Sequence, residues 1–330
     1  MKILVTGGAG YIGSVTTHRL LRGGHEVEVL DDFSTGHRAA LAPGVPVHEG
    51  TLLDQNFLAR VFARPFDAVV HFAAFSLVGE SVSDPLKYWR NNVGGSIGLL
   101  KAVTEASVGR FIFSSSAAVY GEPDQVPITE DALLSPLNPY GETKLAMERA
   151  LAAASEQSGM AAVALRYFNA CGTDGDLGED HDPETHLIPR LLRSVLDPTV
   201  EFRIFGNDYA TPDGTCIRDY IHVCDLAEAH VLALEWAEHR GFIAMNLGTE
   251  SGLSVRQVVD EVARVSGRPL DPEIAPRRGG DPARLVASSE LASRELGWRA
   301  QNSDLQTIIS DAWTWHQGHP RGYAERDRTI

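Results

Sequence analysis

The sequence predicts an α/β protein: a doubly wound parallel sheet with a smaller C-terminal α/β lobe. Three observations carry that prediction. Short apolar runs alternate with amphipathic stretches through the first half of the chain. A glycine-rich turn, Thr6-Gly7-Gly8-Ala9-Gly10-Tyr11-Ile12-Gly13, follows the first apolar run at once. From Asp174 onward the alternation breaks into long polar loops.

In order, residues 2–6 read as a buried strand, 11–22 as a helix and 26–30 as a second strand. Residues 67–72 and 110–114 read as two further strands, with one long helix over 84–106 between them. An alanine-rich helix over 139–157 and a strand over 161–166 complete the alternating part. Beyond it, 174–183 is an acidic loop, 189–196 a short helix and 207–215 a second loop dense in Asp, Gly and Pro. Loops of that length in a compact protein are functional or disordered. A strand at 221–222, a helix over 225–239 and a strand over 242–246 then return to the sheet. The expected division is 1–170 plus about 221–250 for a cofactor-binding domain, and 171–220 with 251–330 for a substrate-binding lobe.

With 330 residues, 43% of them hydrophobic, the chain can bury a sizeable core. Its net charge of −15 argues against general binding to nucleic acid or anionic membranes. An anionic small substrate stays open, because a local arginine cluster works inside an acidic protein. No signal peptide and no apolar run long enough to span a bilayer are read, so a cytoplasmic location is expected. Cys171, Cys216 and Cys224 are odd in number and lack zinc spacing, which suits a reducing compartment and packing roles; no metal is expected.

The turn fits Gly-x-Gly-x-x-Gly from Gly8 and Gly-x-x-Gly-x-x-Gly from Gly7, in strand–turn–helix context. Glycines let the backbone approach a pyrophosphate, and the helix N-terminus offers unpaired N–H groups to the anion. Asp31 ends the second strand and can accept the hydroxyls of an adenosine ribose, with Asp32 beside it. Its charge would repel a 2′-phosphate, so NAD is expected over NADP. The arrangement is Rossmann-type.

Tyr140 and Lys144 stand four apart in Pro139-Tyr140-Gly141-Glu142-Thr143-Lys144, on one face of the predicted helix. A free phenol is a poor base at neutral pH, and a fixed cation favours the phenolate. Bringing it from about 10 to about 7 takes about 4 kcal/mol, which a lysine and an oxidised nicotinamide together would supply. The run Ser114-Ser115-Ser116 ends a strand upstream. Ser116 is read as the catalytic serine, and Ser114 and Ser115 as closing the strand and lining the cofactor. His71 and His222, at strand ends, are read as structural, and His25 as a loop residue.

These motifs, with His71-Phe72-Ala73-Ala74, Val78-Gly79-Glu80-Ser81, Asn91-Asn92-Val93, Arg166-Tyr167-Phe168-Asn169, Arg218-Asp219-Tyr220-Ile221-His222-Val223 and Trp313-x-Trp315-His316, resemble the extended short-chain dehydrogenase/reductases. Within them the chain most resembles the UDP-glucose 4-epimerase branch, also called UDP-galactose 4-epimerases, from about residue 1 to about 323. The resemblance implies an isomerase of galactose metabolism that holds NAD and acts on UDP-glucose and UDP-galactose. Tyr140 would take the proton of the sugar 4-hydroxyl while C4 passes hydride to NAD, Ser116 would bond the same oxygen, and Lys144 would hold the nicotinamide ribose.

For the cofactor the resemblance implies Gly7, Gly10, Tyr11, Ile12, Gly13, Asp31, Asp32, Phe72, Ala73, Ala74, Asn91, Ser114, Tyr140, Lys144 and Tyr167. For the substrate it implies Ser116, Tyr140, Asn169, His186, Leu187, Phe205, Arg218, Arg278 and Asp281, with Asn169 and Arg218 on the diphosphate, Phe205 on the uracil, and Arg278 and Asp281 on phosphate and ribose. A homodimer joined through 84–106 and 139–157 is also implied.

The chain departs from the family in four places. Phe75-Ser76 stands where many members carry a lysine reaching the cofactor. Gly50-Thr51 replaces a Gly-Asp pair near the adenine, with Thr51 or Asp54 as substitutes. His186 stands where some members have asparagine, and Leu285 where some have a tyrosine crowding the sugar 2-position. Rival readings are a 4-epimerase of another UDP-sugar (N-acetylhexosamine, uronate or pentose), a 4,6-dehydratase and a non-catalytic NAD-binding protein. A dehydratase needs an Asp-Glu pair after the serine, where this chain has Ala117-Ala118.

Overall fold

The computed structural model describes residues 1–236, 241–277 and 282–325. In chain order the central elements are β1 (Lys2–Thr6), α1 (Tyr11–Arg22), β2 (Glu26–Asp31), β3 (Val47–Glu49), α2 (Gln55–Val61), β4 (Ala68–His71), α3 (Val78–Ser83), α4 (Pro85–Tyr88), α5 (Ser96–Glu105), β5 (Arg110–Ser114), α6 (Pro139–Ser158) and β6 (Ala161–Tyr167). Then come β7 (Asn169–Cys171), α7 (Leu187–Leu196), β8 (Arg203–Phe205), β9 (Ile217–Arg218), β10 (Tyr220–His222), α8 (Val223–Trp236), β11 (Gly241–Leu247), β12 (Leu253–Ser254), α9 (Val255–Ser266), β13 (Glu273–Ala275), β14 (Arg284–Leu285), α10 (Glu290–Leu296) and α11 (Leu305–Gly318).

Seven strands form one parallel sheet in the order β3-β2-β1-β4-β5-β6-β11. This is the doubly wound order with one strand added, and the strand order reverses between β1 and β4. Each strand's alternating residues serve two cores, because successive side chains point to opposite faces. Ile3, Val5, Val70, Ile112 and Val163 pack on one side with Leu20 of α1 and Leu226, Ala229 and Ala233 of α8. Leu4, Val69, Phe111, Phe113 and Ala162 pack on the other with Leu58 of α2, Leu99 and Val103 of α5, and Met147 and Leu151 of α6. Burying one such Leu or Ile contributes about 1.5–3 kcal/mol.

A third core joins α7, α9 and α11 through Ile188, Leu191, Leu192, Val258, Val262, Ile308 and Ile309. Helix α9 starts at a capping box, Ser254 with Gln257. Three small sheets, β10-β7, β12-β9-β14 and β13-β8, lie outside the central sheet.

Two expectations are corrected, and one strand is added to them. The strand at 221–222 does not return to the central sheet: β10 pairs with β7, directly after β6, while β11 takes the edge beside β6. The helix over 84–106 is interrupted by a π-helical turn at Trp89–Gly95. There Asn92 turns inward, accepts from Phe75 N and donates to Phe75 O and Thr143 Oγ1, which widens the turn and leaves Asn91 facing the ligand cavity. Three-residue β3, not foreseen, adds the far edge through Val29↔Val47. Tail residues are also shared differently, since Ala292 and Trp298 pack against the central sheet.

Candidate active site

The carboxyl ends of β1 and β4 open onto a cavity of about 970 Å³, at the point where the strand order reverses. The turn after β1 is held from several sides. Gly7 N bonds to Leu30 O, Tyr11 OH donates to Gly172 O, and Gly10 caps α1 with no side-chain partner, leaving the first-turn N–H groups to the cavity. A Cβ on Gly13 would stand 2.1 Å from Gly7 O, so only glycine lets α1 approach the turn this closely. Asp31 is buried at the end of β2 and accepts from Ala9 N and Phe33 N, each at 2.9 Å; burial pushes its carboxyl up while those two bonds pull it down. Asp32 accepts from Ser34 N.

At the carboxyl end of β5 lies the second constellation. Asn138 caps α6 by accepting from Gly141 N, with Pro139 in the first turn. A Cβ on Gly141 would sit 2.5 Å from Ala118 O, so glycine lets the start of α6 press against the segment that carries Ser116. Tyr140 and Lys144 share a face, with Lys144 Nζ 5.7 Å from the Tyr140 ring centre and 2.7 Å from Ser114 O. Burial pushes the Tyr140 phenol above its ordinary value, and a hydrogen bond from Ser116 pulls it back down. Burial also lowers Lys144 to about 7, opposed by Glu148.

Within the chain, then, burial and Ser116 set the phenol, and the expected help of an oxidised nicotinamide beside Lys144 is still needed to lower it. The ammonium is itself desolvated, and its charge is spent on the Ser114 carbonyl. The serines divide by direction. Ser114 Oγ pairs with Tyr167 OH at 2.5 Å, Ser115 Oγ donates to buried Glu148 at 2.5 Å, and Ser116 faces the cavity. Ser115 therefore does not line the cavity, contrary to expectation.

The far wall comes from the later chain. Asn169 Nδ2 bonds to Asp219 O, Arg218 Nη1 bonds to Ile217 O, and both residues line the cavity with His186, Leu187 and Leu285. All the expected cofactor residues line it too: the turn residues, Asp31, Asp32, Phe72, Ala73, Ala74, Asn91, Ser114, Tyr140, Lys144 and Tyr167. Phe205 does not. Ile204 turns into the third core where β8 pairs with β13, so its neighbour Phe205 faces the opposite way. Arg278 and Asp281 lie outside the described residues.

The sequence profile of the NAD dependent epimerase/dehydratase family matches residues 3–248. The chain belongs to that family. It is similar to a UDP-glucose 4-epimerase of Streptomyces lividans, 50% identical over 327 residues covering 98% of this chain and 99% of that one. It is also similar to the crystal structure of a UDP-glucose 4-epimerase from Brucella ovis in complex with NAD (48% identity, TM-score 0.91, 95% and 97% of the two chains). A third is the Bifidobacterium longum enzyme in complex with NAD+ and UDP (38% identity, TM-score 0.93, 98% and 100%).

The family's cofactor is NAD, and the residues fit it: uncapped N–H groups at the start of α1, a glycine cradle that a Cβ would fill, and Asp31 at the ribose end. Gly13→Ala is expected to overpack that cradle by about 1–3 kcal/mol. NAD affinity should then fall about tenfold or more, read by calorimetric titration of the stripped protein.

Sequence reasoning missed Lys87. It lines the cavity over the Phe75 ring at 4.3 Å, with Nζ 2.6 Å from Glu80 Oε1, and so restores a cation where Phe75-Ser76 seemed to remove one. A lysine seven residues past Glu80, in the next short helix, gave no local sign of facing the cavity. Thr51 lines the cavity, whereas Asp54 is used as the cap of α2. Glu179 and His181 were also missed, although Glu-x-His-x-x-Glu-x-His is visible in the sequence.

Proposed function

We propose that this chain epimerises C4 of a UDP-hexose, interconverting UDP-galactose and UDP-glucose through a transient 4-keto sugar. One observation carries the reading: a single cavity joins the NAD turn, the Tyr140–Ser116–Lys144 group, and Asn169 with Arg218 on its far wall. A relative of the same fold binds NAD+ and UDP together.

In this reading Arg218 and Asn169 hold the diphosphate, which aims C4 of the sugar at Tyr140. The Tyr140 phenolate accepts the 4-hydroxyl proton, and Ser116 donates a hydrogen bond to the same oxygen. Lys144 fixes the nicotinamide ribose. Held by the turn after β1 and by Lys144, NAD would supply reversible hydride acceptance from C4 and a positive charge near the phenol. The keto sugar turns about its diphosphate link between the two transfers, and Tyr140 returns the proton. Ala117 and Ala118 occupy a short 3-10 turn after Ser116 and offer no acid or base for dehydration.

Purified protein should convert UDP-galactose to UDP-glucose without added reductant, followed with a UDP-glucose-specific dehydrogenase. No turnover of either hexose would refute the reading, and turnover of a UDP-uronate or UDP-pentose instead would redirect it. Leu285 on the cavity wall makes UDP-N-acetylgalactosamine the informative third substrate.

Residues 1–170 with about 221–250 would hold NAD and 171–220 with 251–330 the nucleotide sugar; the third core of α7, α9 and α11 favours that division, while Ala292 and Trp298 reach back to the central sheet. None of the three cysteines is disulfide-bonded, which suits the cytoplasm, and the proposed interconversion would place the chain in galactose metabolism. Among the described residues no helix is long and apolar enough to cross a membrane.

A homodimer is supported by exposed Val82, Leu86, Trp89 and Ile97 along α3–α5, at 63%, 77%, 39% and 45% exposure. Leu86→Arg should shift the particle seen by light scattering from twice 35.8 kDa toward 35.8 kDa. A wild-type monomer would refute this part.

A further inference from the structure

The loop before α7 gathers Glu179, His181, Glu184 and His186, with one donor atom from each lying within 4.8 Å of all the others. The spacing Glu-x-His-x-x-Glu-x-His delivers two imidazoles and two carboxylates from eight consecutive residues. Donor separations are 3.3 Å (His181 Nδ1 to Glu179 Oε1), 3.7 Å (His181 Nδ1 to Glu184 Oε2), 3.5 Å (His186 Nδ1 to Glu184 Oε1) and 2.6 Å (His186 Nδ1 to Glu179 Oε1). Four ligands at zinc bond lengths of about 2.0–2.2 Å in a tetrahedron stand about 3.3–3.6 Å apart, so three of the four separations are already near that geometry.

The second observation is that the four side chains approach as ion pairs, with Glu184 Oε1 accepting from His186 N, yet leave buried ring and carboxylate atoms without an aligned hydrogen bond. Buried His181 Nδ1, His186 Nδ1 and Glu184 Oε2 make no hydrogen bond, and the Glu184 side chain is only 3% exposed. Even the 2.6 Å approach lacks the N–H alignment of a hydrogen bond. Buried polar atoms left unpaired are costly. Two carboxylates and two neutral imidazoles would balance a divalent cation and would use every orphaned atom.

We propose that Glu179, His181, Glu184 and His186 bind one divalent first-row transition ion, zinc by preference, at a structural site. An N₂O₂ set of two imidazoles and two carboxylates supplies all four positions of zinc's tetrahedral habit from the protein. This proposal departs from the expectation that the chain holds no metal, and it adds no metal chemistry to the reaction. The ion would brace the segment that walls the ligand cavity. His186 is followed at once by α7, whose Leu187, Ile188 and Pro189 face that cavity. The rest of the brace is present in the chain: Asp180 accepts from Arg193 Nη2 at 2.9 Å, and Gly178 N donates to Tyr323 OH at 3.0 Å.

The test uses the untagged full chain, desalted over chelating resin and assayed by elemental mass spectrometry. About one zinc per chain is expected. After stripping with dipicolinate, zinc sulfate titrated against a chromophoric chelator should show a nanomolar or tighter site, the range of structural zinc. His181→Ala and Glu184→Gln should each lose stoichiometric zinc, and His48→Ala, on β3, should keep it. Stripped wild type that binds zinc no tighter than about 10 µM, or full zinc retained by both ligand variants, overturns the proposal. The wild-type titration stands even where a variant fails to fold.

Discussion

Tyr140→Phe is expected to cut turnover by about 10³-fold or more, in the range that loss of a positioned acid–base group produces. NAD should stay bound, because the ring remains and only the hydroxyl goes. The geometry gives the reason. Tyr140 is buried at the start of α6 and accepts a hydrogen bond from Ser116, with Lys144 one turn further on tied to Ser114 O.

Burial pushes the phenol above its usual value, so at neutral pH the chain by itself keeps the proton on Tyr140. The reactive form is the one that has lost it. Turnover of the wild type should therefore rise with pH along an acid limb, and the residual rate of Tyr140→Phe should lack that limb. The KM for UDP-galactose should change little, which separates lost chemistry from lost binding. A variant with near-normal turnover would place the base elsewhere.

Arg166→Met is expected to destabilise the fold by about 3–5 kcal/mol, the cost of stranding one partner of a buried ion pair. Arg166 on β6 grips Glu148 on α6 with Nε at 2.9 Å and Nη2 at 2.6 Å, and both side chains are at most 5% exposed. The pair is the centre of a network. Ser115 Oγ donates to Glu148, Arg166 Nη1 donates to Tyr120 OH, and Tyr120 OH donates to Asn246 Oδ1 on β11. It therefore locks the helix that carries Tyr140 and Lys144 onto three neighbouring elements.

Denaturant titration of Arg166→Met should show the loss, and the double variant Arg166→Met/Glu148→Met should recover most of it, because no unpaired charge is left. A double variant no more stable than the single one would show that packing, and not the stranded carboxylate, is responsible.

How much of this was legible beforehand follows from range. Helix α1 has the bounds the sequence predicts, Tyr11–Arg22, and β1 and β5 likewise, because apolar periodicity and a glycine turn are read within a few residues. The reading of Tyr140 and Lys144 as one face depends only on four-residue spacing, and it holds. Asp31 at the end of β2 is equally local, as is the NAD turn. By contrast β3 is three residues long, too short to show a period, and the π turn at Trp89–Gly95 follows from where Asn92 finds its partners fifty residues away in Thr143.

The sequence by itself determined the doubly wound sheet, the dinucleotide turn and the paired phenol and ammonium, since each is written in neighbouring residues. Only the tertiary structure decided that Ser115 turns away to Glu148, that Lys87 supplies a cation beside Phe75, and that two glutamates and two histidines converge before α7. Those outcomes depend on which faces of distant segments are buried together. Burial is a property of the packed chain, set by long-range contact between α7, α9 and α11 and between the two faces of the sheet, and no local pattern encodes it.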